Sequence, residues 1–245
     1  MSKNKIALSL VVAGILGASS ALAETDGAFV GVQFGFGGAK TKNELCELDG
    51  GRSICKTDSK SASALRYGFL AGYKQFFTEN FGLRYYGVVD YGADFKIDNA
   101  LDMGEINFSH KTKISALNLS ANVDALYNFI SNDSLEFGAF GGLSLAYANY
   151  KAKNALMDLT PILAGGSDKP AFKDFKLSGF DMGVNVGVRA QIVQKHGVEL
   201  YGRFAFMENK KEETLLEDEE TGGKGTQTFK AAQPYQVGLR YSFSF

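Results

Sequence analysis

Hydrophobic and polar residues alternate along eight segments of this chain. One face of each segment contains only apolar residues, glycine and tyrosine. A period of two is typical of β-strands, because successive side chains point to opposite faces of a sheet. The segments cover residues 28–36, 65–73, 81–91, 117–129, 135–147, 180–192, 198–206 and 235–245. The alternation therefore predicts eight strands.

The connections between these segments are alternately long and short. The long ones cover residues 37–64, 92–116, 148–179 and 207–234, and the short ones cover 77–80, 130–134 and 193–197. Outer-membrane barrels alternate in this way between long extracellular loops and short periplasmic turns. Because a bilayer leaves no backbone group unpaired, apolar strands can cross it only as a closed barrel. We predict an all-β fold, an eight-stranded antiparallel transmembrane β-barrel with four long extracellular loops.

The final segment ends in alternating aromatic residues, Tyr241, Phe243 and Phe245. Aromatic residues also stand near the ends of the other segments, where the girdles of membrane barrels lie. An aromatic residue at the last position resembles the signal that the outer-membrane assembly machinery reads. We expect these three residues to be that signal, with the assembly machinery and outer-membrane lipid as partners.

The polar faces of the segments carry charges of both signs in near balance. The interior of an eight-stranded barrel is just wide enough for side chains to fill it, and a buried charge needs a partner. We therefore predict an ion-pair network that plugs the lumen, with a narrow charged pore as the alternative. The expected members are Arg66, Lys74, Arg84, Asp90, Asp124, Glu136, Asp181, Arg189, Glu199, Arg203 and Arg240.

The beginning of the chain resembles a secretory signal. Two lysines precede an apolar run that ends in Ala21-Leu22-Ala23, a small-residue cleavage pattern. We expect cleavage after Ala23, so that residues 1–23 are the signal peptide and residues 24–245 the outer-membrane barrel. The chain has two cysteines, Cys46 and Cys55, and in an oxidising compartment we expect them to form a disulfide. A metal site is the weaker alternative, because no histidine lies nearby.

Catalytic chemistry finds little support in the sequence. Of the two histidines, His196 falls in a short turn, and His110 directly follows Ser109 in a long loop. Sequence adjacency does not bring a base, a nucleophile and an orienting acid within hydrogen-bond reach. We expect no enzyme activity, no cofactor and no metal. The formal net charge of −1, with its basic residues scattered, also argues against nucleic acid as a partner.

Two of the long loops are strongly charged. The fourth is acidic and is interpreted as a solvated tip, with weak divalent-cation binding as the alternative. The third is basic and is interpreted as solvated surface, with contact to lipopolysaccharide phosphates as the alternative. The acidic residues are Glu208, Glu212, Glu213, Glu217, Asp218, Glu219 and Glu220, and the basic ones are Lys151, Lys153, Lys169, Lys173 and Lys176.

Four strings resemble a known family. GLRYYGVVDYG at residues 82–92, VDALYNFI at 123–130, KHGVEL at 195–200 and YSFSF at 241–245 are similar to the barrel of the Helicobacter outer-membrane protein family. The resemblance implies a surface protein of the kind that includes adhesins to host molecules and some porins. The larger adhesins carry a long ectodomain before the barrel, whereas here only a few residues separate the signal from the first strand.

Two functions follow from these observations. The first is a non-enzymatic surface protein in the bacterial outer membrane, structural or binding host surface molecules through its loops. The second is a narrow porin-like channel for small solutes. The long connections favour the first, because exposed loops carry function more often than the scaffold beneath them.

A folded barrel of this kind should migrate faster in a gel before boiling than after it. We expect this heat-modifiable mobility, together with an antiparallel β circular-dichroism spectrum in detergent micelles. Recovery of the protein in the soluble periplasmic fraction would contradict the prediction.

Overall fold

The computed structural model describes residues 26–49, 52–102, 107–132, 134–158, 171–217 and 224–245. The predicted signal peptide, residues 1–23, and its cleavage site lie outside these residues. Ten strands account for nearly all of the described chain. They are β1 Gly27–Asp49, β2 Arg52–Phe76, β3 Phe81–Asp102, β4 Asn107–Ser131, β5 Leu135–Asp158, β6 Ala171–Ile192, β7 His196–Ala205, β8 Asn209–Glu217, β9 Lys224–Ala232 and β10 Tyr235–Ser244.

In the described part of the chain, β1 to β7 and β10 form a closed antiparallel barrel of eight strands, each paired with its neighbours. The barrel closes where β10 pairs with β1, from Phe29 opposite Ser244 to Gly37 opposite Gln236. The predicted fold class is confirmed. Among the described residues we find no helix that is long and apolar enough to cross a membrane.

The two ends of the barrel differ. At the turn end, short turns join β2 to β3, β4 to β5 and β6 to β7. At the opposite end, called the hairpin end here, the strands run far past the apolar segments. The pairing of β1 with β2 extends as far as Asp49 opposite Arg52. In addition, β8 and β9 form a hairpin whose second strand pairs with β1 from Lys40 to Leu48.

Strands, rather than irregular loops, therefore occupy most of the four long connections. The sequence pattern does not reveal that the strands continue beyond the apolar segments, and the reason is physical. Beyond the apolar belt the outer face of each strand meets water, so the alternation of apolar and polar residues that marked the eight segments ends there. A β-bulge between Gly92 and Phe95 in β3 also shifts the alternation by one residue.

Apart from the bulges, side chains alternate between the outside and the inside of the barrel. The outward face is apolar, and Phe69 and Leu143 are 71% and 65% exposed. The inward face is buried and largely polar, with Arg66 at 1% and Asp124 at 0% exposure, and includes two small apolar clusters around Leu70 and Leu126. An apolar exterior around a polar interior is the arrangement that lipid favours for a barrel wall.

Glycine is required where β1 approaches β10. Gly35 lies directly opposite Gly238, and a Cβ on Gly35 would collide with the main chain of Val237 and Gly238. A Cβ on Gly37 would likewise collide with the side chain of Arg66. The glycines of β1 therefore leave room for close strand contact and for a large arginine inside the barrel.

Val186 lies on the outer face of β6 and is 46% exposed. We expect Val186→Arg to lower the free energy of unfolding by about 2–4 kcal/mol, because it places a charge against hydrocarbon. Val186→Leu is the matched control and should change it by less than about 1.5 kcal/mol. The measurement is urea unfolding in lipid vesicles. Equal tolerance of both variants would mean that this face does not contact lipid.

Candidate functional site: the charged lumen and the hairpin end

The centre of the barrel is held by one arginine that lies between two carboxylates. The Arg84 side chain on β3 donates hydrogen bonds to Asp124 on β4, at 2.8 Å, and to Glu199 on β7. Arg240 on β10 adds a second cation 3.7 Å from the other oxygen of Glu199. All four side chains are buried, so this cluster links opposite walls of the barrel.

Aromatic rings pack against both guanidinium groups. The Arg84 guanidinium carbon lies 4.8 Å from the ring centres of both Tyr86 and Phe140. The Arg240 group lies 4.0 Å from the ring centre of Tyr201 and donates a hydrogen bond of 3.1 Å to the Tyr86 hydroxyl. Cation–π contact stabilises an arginine most strongly where water is excluded. The rings also occupy space that a conducting pore would need.

A second pair of clusters lies closer to the hairpin end. Arg66 donates hydrogen bonds to Asp90 and to Gln233. Arg203 donates to Asp181 at 3.0 Å and to the Ser144 hydroxyl at 2.7 Å. Each of these arginines faces a carboxylate on a neighbouring strand, so the charges are neutralised within the lumen.

The remaining expected members, Lys74, Glu136 and Arg189, are buried nearer the turn end. Arg189 donates a hydrogen bond of 3.1 Å to the Asn128 side chain. A cavity at this end is lined by Phe29, Lys74 and Arg189, among others, and holds about 10 Å³. Such a volume is close to the least that one water molecule needs.

Above the charged clusters, the interior of the hairpin end is apolar. Phe95 and Ala116 are fully buried there, and Ile114, Tyr150 and Leu177 pack around them. This apolar cap joins side chains from β1, β3, β4, β5, β6 and β9. It covers the polar lumen with a layer that water and ions do not favour.

At the far tip of the first hairpin, Cys46 and Cys55 are opposite each other in register and form a disulfide, with their Cα atoms 4.1 Å apart. Glu44 lies beside them, but both sulfurs are bonded, so the group does not offer thiolates to a metal. On the neighbouring strand, Lys230 forms an ion pair with Glu44 at 3.2 Å. The tip is therefore tied both across the hairpin and to β9.

The aromatic residues of β10 lie on the outer face at the turn end, where Tyr241 is 43% and Phe245 is 67% exposed. The rings of Phe243 and Phe245 contact edge to face with centroids 5.5 Å apart. His196 packs against Phe243, and its Nδ1 lies 2.8 Å from the Tyr241 hydroxyl. This contact explains His196 without any catalytic role.

The structure does not describe the side chain of the other histidine. The side chains of Ser109 and His110 lie outside those that the structure describes, although the backbone of β4 places both residues in the second hairpin. Asp218, Glu219 and Glu220 of the acidic connection also fall outside the described residues. Glu208 is described and lies 3.9 Å from Lys42.

Sequence reasoning missed the uncharged members of the lumen. Asn185 donates to Asn122 and to Asp124, both at 3.1 Å, and the side-chain amides of Asn118 and Gln233 are hydrogen-bonded to each other at 2.8 Å. Tyr86 joins this network through Arg240. The signal that could have found them was their position on the inward faces, where a polar residue must find a hydrogen-bond partner.

Comparison with known proteins gives one family. A family model described as Helicobacter outer membrane protein matches residues 68–245. No curated protein matches the chain.

Solved structures with a similar fold share little sequence. The chain is similar to the outer membrane protein OprG from Pseudomonas aeruginosa, with 16% identity, coverage of 94% of this chain and 99% of that one, and a TM-score of 0.49. The chain is also similar to the attachment invasion locus protein Ail of Yersinia pestis. The identity is 10%, the match covers 88% of this chain and 99% of that one, and the TM-score is 0.34. For the outer membrane protease OmpT from Escherichia coli the identity is 10%, the match covers 89% of this chain and 96% of that one, and the TM-score is 0.39. At these sequence identities and TM-scores, none of the three structures supports an inference about the function of this chain.

Arg84→Gln tests the central cluster. The variant leaves Asp124 and Glu199 with less compensation in a buried site, so we expect the free energy of unfolding to fall by about 3–5 kcal/mol. Adding Glu199→Gln should recover part of that loss, because it removes one of the two carboxylates. Lys42→Gln, at a half-exposed ion pair, is the control and should cost less than about 1 kcal/mol. A loss from Arg84→Gln no larger than the control's would contradict the proposed role of the cluster.

Proposed function

Because this chain belongs to the Helicobacter outer-membrane protein family, as the match over residues 68–245 establishes, we propose that it is a non-enzymatic surface protein. In this proposal a closed barrel in the outer membrane anchors a rigid β-hairpin structure that binds a host surface molecule. The hairpin end faces outwards, as the long connections of outer-membrane barrels do.

One observation carries this proposal: the hairpin end has a packed apolar core of its own above a filled lumen. Nine buried residues from six strands make up that core, including Phe95 and Leu177. Flexible loops would lose conformational entropy on binding, whereas paired strands with a core have already lost it on folding. The hairpins therefore suit a binding surface of fixed shape.

The disulfide supports the same role for the tip of the first hairpin. Cys46 and Cys55 close the end of the β1–β2 pair, and β9 pairs beside it up to Leu48. The tip thereby becomes part of a three-stranded sheet, with β2 and β9 on either side of β1. A small sheet held in this way presents its side chains without a further ordering cost.

The filled lumen argues against the alternative, a narrow channel. Conduction would require both the Arg84 cluster and the apolar cap to separate. We therefore propose that the barrel does not conduct, and planar-bilayer recordings of the refolded protein would test this directly.

We also propose that the aromatic residues of β10 engage the assembly machinery of the outer membrane. Tyr241 and Phe245 are exposed on the lipid face, and Phe243 lies between them on the same face. Exposed aromatic rings at the end of a strand are accessible to a receptor before the strand is embedded in lipid.

The binding role is tested by replacing residues 44–57 with Asn-Gly, which closes the first hairpin between Asn43 and Asp58 through a two-residue turn. A separate replacement of residues 153–174 with Asn-Gly shortens the third hairpin, closing it between Ala152 and Phe175. We expect at least one variant to reduce binding of surface-expressing bacteria to cultured epithelial cells by tenfold or more, with barrel assembly intact. Assembly is measured by heat-modifiable mobility.

The disulfide provides a matched control within the same hairpin. Cys46→Ser with Cys55→Ser keeps the length and pairing of the tip but removes its covalent constraint. We expect a smaller loss of binding than with the tip replacement. Unchanged binding in all three assembled variants would leave only a structural role for the protein.

A further inference from the structure

Exposed lysines lie side by side on the outer wall of the barrel, just beyond the apolar belt at the hairpin end. Lys96 on β3 is opposite Lys113 on β4, and Lys151 on β5 is opposite Lys176 on β6. Lys151 is opposite Ser115 in β4, which is two residues from Lys113 on the same face, so the two pairs form one row across four strands. The side chains of Lys96, Lys113, Lys151 and Lys176 are exposed.

The height of this lysine row relative to the membrane follows from the strands that carry it. Tyr147 on β5 and Phe180 on β6 form an outward aromatic pair of the belt below these lysines, with ring centroids 5.3 Å apart. Lys151 and Lys176 lie four residues further along the same strands, on the same face. That separation is about 13 Å along a strand tilted by about 40°, which places the ammonium groups at the level of the lipid headgroups.

The row lacks counter-charges among the side chains that the structure describes. Like charges directly opposite each other on a sheet repel. Elsewhere on the hairpin end, Lys42 and Lys230 each lie beside a glutamate. None of the four exposed lysines of the row forms an ion pair with a side chain that the structure describes, and the described side chains beside them on this face, such as Ser115 and Ser178, are uncharged.

A groove lies further down the same wall, inside the apolar belt. Its floor is formed by small residues that are neighbours in register, Ala71, Gly87 and Ala121. The ridge on its turn side includes Tyr85 and Val123, and the cavity has a volume of about 680 Å³. The ridge on its hairpin side consists of Phe69, Val89, Leu119, Tyr147 and Phe180, which are also neighbours in register.

The separation of the groove from the lysine row matches the length of a lipid. On β4, Ala121 lies eight residues from Lys113 on the same face. That is about 27 Å along the strand and about 20 Å along the membrane normal at the usual tilt. Since the hydrocarbon core is about 30 Å thick, the groove lies near the midplane, where acyl chains end.

We propose that this wall is a binding site for a phosphorylated glycolipid of the outer leaflet, lipopolysaccharide. The lysine row binds its phosphates, and the groove holds the end of one acyl chain. The proposal shares with the proposed function only the orientation of the hairpin end, and it involves a different surface from the hairpin tips. A membrane-anchored anion fits better than a soluble one, because the lysine row and the groove lie on the same strands of one lipid-facing wall.

The phosphate part is tested with Lys113→Ala/Lys151→Ala/Lys176→Ala against Lys42→Ala/Lys195→Ala/Lys210→Ala, which removes the same charge elsewhere. The probe is purified lipopolysaccharide titrated into the refolded protein in detergent, beside dephosphorylated lipopolysaccharide. We expect the first variant to weaken binding at least tenfold and the control to bind as the parent does. Wild type should bind the dephosphorylated lipid as weakly as the first variant binds the intact one.

The acyl part has its own matched pair. A Cβ on Gly87 would meet only the Ser120 carbonyl oxygen, at 3.8 Å, and one on Gly141 only that of Asn185, at 3.9 Å. Both glycines face lipid, but only Gly87 lines the groove. Gly87→Leu should therefore weaken binding of both lipid forms, whereas Gly141→Leu should leave it unchanged.

Three results would overturn the proposal. Equal binding by the lysine variant and its charge-matched control would remove the phosphate site, and equal binding by the two leucine variants would remove the acyl site. Full competition by inorganic phosphate at millimolar concentration would identify a soluble anion as the ligand instead. Heat-modifiable mobility of every variant establishes that the barrel is folded in each comparison.

Discussion

The pairing of every backbone amide and carbonyl is the constraint on which this structure depends. Lipid offers no hydrogen bonds, so the strands that cross it must close on themselves, and β10 must meet β1. Where the barrel closes, Gly35 and Gly238 lie opposite each other, and a Cβ on either would collide with the main chain of the other strand. The separation of a buried lumen from an outward apolar wall follows from that closed ring.

The ring creates two interiors of opposite character. Within the belt, the exterior is lipid and the interior is charged, with Arg84 and Arg240 buried among carboxylates and rings. Beyond the belt, the exterior is water and the interior is the apolar core around Phe95. Along the same strands, the apolar side chains therefore change from the outer face to the inner face, because the surroundings of the barrel change from lipid to water.

Much of the barrel could be predicted from the sequence because lipid selects one face of each strand so strictly. The alternation of side chains along each strand is enough to assign residues such as Arg84, Asp124 and Glu199 to the inward face. All three are buried in the lumen. The partners of each charge could not be derived, because Arg240 and Tyr86 are 154 residues apart in sequence and meet across the barrel. The apolar cap was also missed, since the bulge before Phe95 shifts the alternation there.

The lysines on the outer wall show a different limit. The sequence identified Lys151 and Lys176 only as parts of a basic connection. Their alignment with Lys113 and Lys96 depends on strand register in a region where no apolar alternation reports it. Strand register places lysines that are far apart in sequence side by side on one surface. The sequence alone does not give that register.

Closure also determines the order in which the barrel can form. Phe29 and Ser244 pair although more than 200 residues separate them, while each of the other barrel strands pairs with a neighbour close in sequence. Local hairpins can assemble early, but the edges of β1 and β10 stay open until both strands are present, and non-local pairings of this kind form slowly. Open edges invite aggregation. The nascent chain therefore spends its riskiest interval as a nearly finished sheet, and its two open edges are then the surfaces most exposed to unwanted pairing.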